Sequence, residues 1–358
     1  MKKILIVTGG SGGHVIPSLG IYDALKDNFE VQISTDLRGS KFINNDNYHY
    51  SLIDVPNLFS NLLLLPFNLI KFCISIIKSY KYLKFNNFNI LISTGGYMSV
   101  PICLASKIIG IKIFLVEPNS VLGRANSFIL SLSSKIICYD KNIKNYPKKY
   151  ENKIRLINPI LREEIYKSKK NDKNEMTDLK KILVLGGSQG AKFFDKNITE
   201  LLLKVSQKIK LEIIQQVYDE DEKEFIKKKY NDLKISNILF NFDEKLHNKV
   251  GEFDLAITRS GASAIAEFAF FNVPFIAIPF PFAKDDHQYF NAKFYDRLDS
   301  CWLIRQEDFK INIISNLIIK LFNEKNEYFI KKDNLKKISK ENTWNYNNKR
   351  LMEIIHEN

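Results

Sequence analysis

Two glycine-rich segments stand where a chain could bind an anion. Residues 9–14, with the sequence GGSGGH, follow the β-branched run 3–8, and residues 186–192, GGSQGAK, follow a near copy of that run at 181–185. In each segment, backbone N–H groups and the positive end of a following helix can point at a phosphate. Neither segment has the spacing of a nucleoside-triphosphate loop or of a dinucleotide site. The segments therefore predict a phosphate-bearing ligand of another kind.

Polar side chains in the second half suit a sugar nucleotide. Glu267 lies in the apolar stretch 262–271, where a carboxylate needs hydrogen-bond donors, and a ribose diol supplies two. The alternative is that Glu267 only caps or solvates the helix. His287, Gln288 and Asn291 follow a predicted strand that ends in proline. Because these side chains can donate or accept, they suit the neutral hydroxyls of a sugar.

The repeated strand-and-glycine opening indicates two doubly wound α/β domains. Short apolar runs alternate with helix-compatible stretches, and the predicted strands are 31–35, 90–94, 112–116 and 135–139, then 211–216, 255–258 and 273–279. This alternation is typical of parallel sheets covered on both faces. Further glycine turns at 94–97 and 259–263 fall at equivalent strand ends, so we expect ligands between the domains. The predicted domains are 1–162 and 181–340, joined by a polar linker at 163–180 and followed by a terminal helix at about 341–358.

Composition limits the classes of function. The chain has 358 residues, and 53 Lys and Arg against 40 Asp and Glu give a net charge of +13. This charge favours anionic partners, although a solvated surface would also account for it. The four cysteines are far apart, which supports neither a disulfide framework nor a metal site and favours a reducing cytoplasm. The apolar run after Met1 is too short for a signal peptide, so we expect no export.

An ordered set of motifs resembles the MurG family of bacterial peptidoglycan glycosyltransferases. The set comprises GGSGGH at 9–14, GGY at 95–97, EPN at 117–119, NP at 158–159 with Arg162, GGSQG at 186–190, RSGA at 259–262, and DDHQ at 285–288 with Asn291. The resemblance implies the GT-B architecture: two Rossmann-like domains, an interdomain cleft, and a carboxyl-terminal helix that packs back on the first domain.

The same resemblance implies an activity. The family transfers N-acetylglucosamine from UDP-N-acetylglucosamine (UDP-GlcNAc), with inversion, to the muramoyl C4 hydroxyl of lipid I, the undecaprenyl-diphosphate-linked muramoyl-pentapeptide, and so makes lipid II. It implies a peripheral enzyme at the cytoplasmic face of the inner membrane, with roles in cell shape and division and with partners among the cell-wall synthesis proteins. No cofactor, metal or nucleic acid is expected.

Site residues follow from the matching positions. The resemblance assigns to UDP-GlcNAc binding Ser11, Gly12, Gly13, Asn119, Arg162, Ser188, Gln189, Phe242, Ala264, Glu267, Gln288 and Asn291. Among these, Arg162 and Ser188 would contact the diphosphate, the backbone near Phe242 the uracil, Glu267 the ribose, and Gln288 with Asn291 the sugar. It assigns to acceptor binding Gly95, Gly96, Tyr97 and Asn119.

Transfer requires a base, because the acceptor hydroxyl must lose a proton as the UDP leaving group gains charge. His14, directly after the first glycine loop, is the candidate, since imidazole can accept a proton near neutral pH. Glu117 is the alternative base. A third interpretation is that His14 only caps the helix or orients a phosphate.

The most apolar region, residues 58–83, bears on the membrane. Asn61, Pro66, Asn68 and Lys71 interrupt it, which disfavours a spanning helix. We predict instead a patch that binds an anionic membrane surface, formed by Phe72, Ile76, Lys71, Lys78 and Lys81. A core helix with solvated lysines is the alternative.

Two other functions compete with this interpretation. Another inverting GT-B transferase, acting on a different lipid or small molecule, would share the second half of the chain but need not share the motifs at 95–97 and 117–119. A non-catalytic nucleotide or nucleic-acid binding protein would account for the charge. It would not account for two glycine loops together with Gln288 and Asn291.

Overall fold

The computed structural model describes residues 1–44, 47–53, 55, 65–169, 177–187 and 192–357. They form two compact units. Unit 1 comprises Met1–Tyr166 together with Thr343–Asn358, and unit 2 comprises Lys167–Asn342.

Unit 1 is built on a seven-stranded parallel sheet in the order β3-β2-β1-β4-β5-β6-β7. The strands are β1 Lys3–Val7, β2 Glu30–Thr35, β3 Tyr50–Leu52, β4 Ile90–Ser93, β5 Lys112–Glu117, β6 Lys135–Cys138 and β7 Ile154–Leu156. The helices are α1 Gly12–Leu25, α2 Leu65–Asn86, α3 Ser99–Ile109, α4 Arg124–Ile129 and α5 Glu163–Ser168.

Apolar side chains cover both faces of this sheet. Along β1, Ile4 and Ile6 pack into one core cluster, whereas Leu5 and Val7 pack into the other. A strand buried on both faces reads as a continuous apolar run, which is why its sequence shows no alternation. The terminal helix α12, Trp344–His356, adds Leu351 and its neighbours Ile354 and Ile355 to the first cluster.

Unit 2 repeats the design with a six-stranded parallel sheet in the order β10-β9-β8-β11-β12-β13. The strands are β8 Lys180–Leu185, β9 Leu211–Gln216, β10 Ser236–Phe240, β11 Leu255–Thr258, β12 Phe275–Ala277 and β13 Trp302–Leu303. The helices are α6 Thr199–Ser206, preceded by a π-turn at Phe194–Ile198, α7 Glu220–Asp232, α8 Ala262–Phe270, α9 His287–Arg297, α10 Ile311–Glu324 and α11 Asn326–Glu341.

Both sheets have the Rossmann strand order, which confirms the predicted fold class. In this order the chain reverses direction across the sheet next to the first strand of each unit. The reversal places the loops after β1 and β4 side by side in unit 1, and the loops after β8 and β11 side by side in unit 2. The four predicted glycine turns follow these four strands.

The segment predicted as a linker, residues 163–180, contains helix α5 at its start and the first residue of β8 at its end. Ile165 is fully buried, and Glu163 pairs with Lys26 at 3.0 Å. Because these contacts are made within unit 1, ordered structure continues past residue 162. Residues 170–176 lie outside the described residues.

Candidate functional site

The first glycine loop packs backbone against backbone on the glycine turn after β4. A Cβ atom on Gly96 would lie 2.6 Å from the carbonyl oxygen of Gly9, and one on Gly95 would lie 3.2 Å from two ring atoms of His14. Both turn glycines also have positive φ, 94° and 88°. Glycine at 95 and 96 therefore lets the two loops meet and lets the imidazole lie over the turn.

Asp36, directly after β2, holds the first glycine loop. Its Oδ1 accepts hydrogen bonds from the N–H groups of Gly10, at 2.9 Å, and Gly39, at 2.8 Å. This residue was missed by sequence reasoning. A carboxylate one residue beyond the predicted strand 31–35 was the signal that could have revealed it, because strand ends line the ligand edge of such a sheet.

His14 lies in the first turn of α1 and is half-buried. Its Nδ1 is 2.8 Å from the carbonyl oxygen of Thr94. Because a carbonyl oxygen only accepts, Nδ1 must carry the hydrogen, and Nε2 of the neutral ring keeps its lone pair. The arrangement therefore gives His14 one nitrogen that can accept a proton.

Glu117, at the end of β5, is fully buried and surrounded by donors. Oε1 accepts from the backbone N and side-chain Nδ2 of Asn119, at 3.2 and 3.1 Å. Oε2 accepts from the N of Gly123 at 2.8 Å and from Nδ2 of Asn126 at 3.0 Å. Four donors satisfy the carboxylate in place of water, so this geometry suits a residue that positions the loop around Asn119 better than one that takes a proton.

Other residues assigned from the resemblance also belong to unit 1. Ser11 is the exposed N-cap of α1, and Gly12 and Gly13 form its first turn. The ring of Tyr97 packs on Phe72, with centroids 6.2 Å apart. Arg162, predicted to contact the donor diphosphate, also belongs to unit 1, where its Nη1 pairs with Glu164 at 2.6 Å.

The second glycine loop is described only at its start. Gly187 has φ 64°, and its N–H donates to Oε1 of Gln216 at 3.2 Å. A Cβ on Gly186 would lie 3.0 Å from Cβ of Phe194, which makes this position tight. The predicted diphosphate contacts Ser188 and Gln189 lie outside the described residues.

The loop after β11 is organised by a buried arginine that sequence reasoning named only as part of a motif. Nη1 of Arg259 donates to the carbonyl oxygens of Ile278 and Pro279, at 3.0 and 2.9 Å, and Nη2 donates to Oε1 of Gln306 at 2.6 Å. Burial lowers the pKa of Arg259 to about 10, so it is charged at neutral pH. Arg259 precedes the N-cap of α8 by two residues, and the first turn of that helix contains no acidic residue.

Gln288 and Asn291 hold this loop from α9. Oε1 of Gln288 accepts from the N–H groups of Ser260, at 3.1 Å, and Phe280, at 3.0 Å. Nδ2 of Asn291 donates to the carbonyl oxygen of Ser260 at 3.2 Å. Since two N–H donors require an oxygen, the amide orientation of Gln288 is fixed and its Nε2 is the end that can donate to a ligand.

The remaining predicted donor contacts are also in unit 2. Ala264 and Glu267 are half-buried on α8, three residues apart and therefore on one side of the helix. Phe242, just beyond β10, is 73% exposed, so its backbone lies at the surface rather than in the core. The structure thus brings Gln288 and Asn291 together at Ser260, while Arg162 and residues 11–13 belong to unit 1.

Helix α2 carries apolar side chains on both its core-facing and its solvent-facing side, which bears on the predicted membrane patch. Phe72 and Ile76 are half-buried against the core, together with the buried polar residues Asn68, Ser75 and Ser79. The opposite side carries what we call the exposed stripe, formed by Phe67, Ile70, Ile74 and Ile77, which are 44 to 60% exposed. Phe72 and Ile76 thus lie on the side of α2 that packs on the core, which sequence periodicity does not reveal, and their part in a membrane patch stays a prediction.

The predicted lysines do lie beside the exposed stripe. Lys71, Lys78 and Lys81 are exposed, and Nζ of Lys71 is 4.5 Å from the ring centroid of Phe67. Among the described residues, no helix combines the length and apolar character needed to cross a bilayer. Nor does any group of three or more His, Cys, Asp and Glu side chains converge there as a metal ion would need.

Comparisons with known proteins extend these observations. Residues 4–137 match the glycosyltransferase family 28 N-terminal domain, and residues 181–344 match the family 28 C-terminal domain. The chain is 45% identical over 357 residues to the UDP-N-acetylglucosamine--N-acetylmuramyl-(pentapeptide) pyrophosphoryl-undecaprenol N-acetylglucosamine transferase of Pelagibacter ubique (strain HTCC1062), covering 100% of this chain and 99% of that relative. The protein of the same name from Rickettsia bellii (strain RML369-C) is 35% identical over 331 residues, covering 90% of this chain and 91% of the relative.

Solved structures show the same fold. The crystal structure of Acinetobacter baumannii MurG aligns over 99% of both chains with a TM-score of 0.78 and 22% identity. Phytolacca americana UGT2, complexed with UDP-2-fluoro-glucose and pterostilbene, aligns over 99% of both chains with a TM-score of 0.69 and 12% identity.

Proposed function

The chain belongs to glycosyltransferase family 28, and on that premise we propose that it joins N-acetylglucosamine from UDP-GlcNAc to the muramoyl C4 hydroxyl of lipid I, forming lipid II. The observation that carries this proposal is the 45% identity to the Pelagibacter ubique transferase over the whole chain. Its product would serve peptidoglycan synthesis, and through it cell shape and division.

Unit 1 supplies the group that activates the acceptor. Nε2 of His14 removes the proton from the C4 hydroxyl, while the bond from Nδ1 to the carbonyl of Thr94 holds the ring and stabilises the charge that forms on it. Glu117 holds Asn119 and the loop that ends at Asn126, and so shapes the acceptor side without taking the proton.

Unit 2 binds the donor. The start of α8 points N–H groups at a phosphate, and the charge of Arg259, two residues before the N-cap of this helix, adds to the positive potential. Glu267 receives the ribose hydroxyls, and Nε2 of Gln288 donates to a sugar hydroxyl because its oxygen is already engaged. Arg162 and the loop residues Ser188 and Gln189 complete the diphosphate contacts in this proposal.

The reaction is a single displacement. The deprotonated C4 oxygen forms a bond to the anomeric carbon as the bond from that carbon to the UDP oxygen breaks, which inverts the configuration. Charge develops on the diphosphate, and fixed dipoles and guanidinium groups stabilise it. In this scheme no metal ion or cofactor is required, and EDTA should leave the turnover unchanged.

We place the enzyme at the cytoplasmic face of the inner membrane, where a lipid-linked acceptor is available. The exposed stripe on α2 supports this placement, because an apolar row beside Lys71, Lys78 and Lys81 fits an anionic bilayer surface. Cell-wall synthesis proteins that act on the same lipid are proposed partners.

A transfer assay tests the function. Purified protein is given a lipid I analogue with radiolabelled UDP-GlcNAc or UDP-glucose, and products are separated by chromatography. The proposal predicts label in a disaccharide-lipid product only with UDP-GlcNAc. Transfer of glucose at an equal rate would favour a different GT-B transferase, and absence of transfer with either donor would contradict the proposal.

A further inference from the structure

The loop that leads into α9 has an unusual backbone. Asp285 and Asp286 both have positive φ, 55° and 56°, in the left-handed region that favours glycine. Aspartate is among the side chains that tolerate this region, but two in succession are uncommon. Such a backbone persists only when its surroundings hold it, so the contacts of these residues matter.

Arg305, beyond β13, contacts the second of these aspartates. Its Nη2 is 3.0 Å from Oδ2 of Asp286, and its guanidinium carbon is 3.8 Å from the ring centroid of Tyr289. The ion pair is partly shielded, with 39% and 35% of the two side chains exposed. One arginine thus engages both the N-cap of α9 and a residue in its first turn.

The same turn of α9 carries the amide that we assign to the donor sugar. Gln288 lies between Asp286 and Tyr289 in sequence, and its oxygen is fixed on Ser260 and Phe280. The neighbour of Arg305, Gln306, accepts from Arg259, which anchors the carbonyls of the loop before α9. Arg305 therefore contacts the start of α9 directly, whereas Gln306 acts on the preceding loop only through Arg259.

We propose that Asp286, Tyr289 and Arg305 form a clamp that positions the first turn of α9 for the sugar of the donor. Arg305 is a positioning residue. It fixes the start of α9 so that Nε2 of Gln288 lies at hydrogen-bonding distance from a sugar hydroxyl and points towards it. The clamp rests on the proposed function, and it deepens that function by assigning donor-sugar discrimination to residues outside the sugar contacts.

The test distinguishes an effect on binding of the sugar of UDP-GlcNAc from an effect on binding of its UDP portion. Asp286→Asn and Arg305→Gln each remove the ion pair, and asparagine also tolerates the left-handed backbone. Calorimetry measures binding of UDP-GlcNAc and of UDP, and turnover is measured with UDP-GlcNAc and UDP-N-acetylgalactosamine. Each variant should weaken UDP-GlcNAc binding about three- to tenfold, the range for a partly shielded ion pair with ring stacking, and leave UDP binding unchanged. The preference for UDP-GlcNAc over its C4 epimer should fall by a similar factor.

A second experiment exchanges the charges of Asp286 and Arg305. Asp286→Lys and Arg305→Glu each place like charges together, whereas the double variant restores an opposite pair; lysine already occupies left-handed positions at Lys234 and Lys325. The double variant restores the ion pair but not the contact with Tyr289, so it should bind UDP-GlcNAc more tightly than either charge-reversed single variant and less tightly than the unaltered protein. As a matched control, Lys293–Asp296 on the same helix has a similar exposure of 42% and 33%, and reversing that pair should change neither ligand.

Three results would overturn the clamp: unchanged UDP-GlcNAc binding in both single variants, equal losses for UDP and UDP-GlcNAc, or no recovery in the charge exchange. Equal losses, accompanied by a lower Tm, would indicate a merely structural pair. If the unaltered protein binds UDP but does not distinguish UDP-GlcNAc from other UDP-sugars, the proposed function fails, and the clamp fails with it as a sugar-positioning device.

Discussion

At the scale of single residues, hydrogen bonding distinguishes the two candidate bases. Nδ1 of His14 donates to the carbonyl oxygen of Thr94, which leaves Nε2 of the neutral ring with a lone pair that can accept a proton. Glu117 has both oxygens engaged by four donors and is fully buried. Sequence alone left the choice between them open, because it shows neither which atoms are engaged nor which remain accessible.

We expect His14→Ala to lower kcat about 10²-fold or more, since the general base is removed, with little change in the KM for UDP-GlcNAc. Steady-state kinetics with a lipid I analogue measure both constants. His49→Ala is the matched control, because His49 is an exposed histidine of the same unit. An unchanged kcat in His14→Ala would remove His14 from the mechanism.

Glu117→Gln should act mainly through stability. The new NH2 group would face a backbone or side-chain N–H group, and the donor left without an acceptor lowers the free energy of unfolding by about 1–3 kcal/mol. Each kcal/mol lowers the Tm by about 2–4 °C in a unit of this size. Thermal denaturation measures the loss, with the exposed Glu151→Gln as control. A variant with the normal Tm but turnover reduced about 10²-fold would instead identify Glu117 as the base.

Asp195 provides a pH-dependent prediction in unit 2. Burial, together with the charges of Glu222 and Asp219, raises the pKa of Asp195 to about 7. The pKa of Asp195 in the folded state lies above the unfolded value of 3.8. The contribution of this carboxyl group to the free energy of unfolding is therefore complete below about pH 4 and is lost as the pH rises through 7.

Asp195→Asn should therefore remove this loss and raise the Tm at pH 8 relative to the unaltered protein, by about 2–4 °C if about 1 kcal/mol is recovered. At pH 4 the two proteins should differ less. Scans at several pH values measure the difference. Parallel Tm curves for the two proteins between pH 4 and 8 would contradict the assignment.

At the scale of elements, α2 exposes a row of apolar side chains in addition to those that it packs against the core. Asn68, Ser75 and Ser79 face inward, where small polar side chains allow close packing, and the exposed stripe faces away. This apolar row and the adjacent lysines are the features on which we base the proposed binding to an anionic membrane surface.

Replacing Ile70, Ile74 and Ile77 by Ser should weaken binding to vesicles that contain anionic lipid, even at high salt, because burial of apolar area is not screened. Replacing Lys71, Lys78 and Lys81 by Gln should weaken binding only at low salt. Flotation assays measure both. The exposed Ile313 of unit 2, changed to Ser, is the control. If the isoleucine variant bound vesicles normally, the stripe would not be the docking surface.

The terminal helix α12 packs on unit 1 through apolar burial and through ion pairs, whose contributions to stability can be compared. Leu351 is fully buried in the core of unit 1, whereas Glu357 at the helix end pairs with Arg155 and Lys135 while partly exposed. Leu351→Ala should destabilise unit 1 by about 2–5 kcal/mol, and Glu357→Gln by less than about 1 kcal/mol. Chemical denaturation compares them. Equal losses would mean that ion pairing, rather than apolar burial, holds the helix.

At the scale of the whole molecule, much of the architecture is local in origin. The β-branched runs at 3–8 and 181–185, each followed by glycines, predict two parallel sheets, and the structure confirms the predicted strands to within one or two residues at each end. Buried parallel strands are encoded by their own apolar sequence, and tight turns at their ends by glycine, so neither depends on distant partners.

Contacts between distant residues could not be predicted in the same way. Asp36 with Gly10, Arg259 with Gln306, and Arg305 with Asp286 each join elements that are separated along the chain. Local periodicity shows neither which polar groups will pair nor which side of α2 will be buried, because tertiary packing decides both. Motifs in the sequence therefore identify the candidate site residues, whereas only the structure shows which residues they contact.

The configuration of the new glycosidic bond tests the proposed single displacement most directly. NMR of the purified product, made from α-linked UDP-GlcNAc and a lipid I analogue, reports the coupling constant at the anomeric proton and the carbon to which the sugar is attached. A single displacement assisted by His14 predicts a β linkage to the muramoyl C4 oxygen. An α linkage, or attachment at another position, would contradict it.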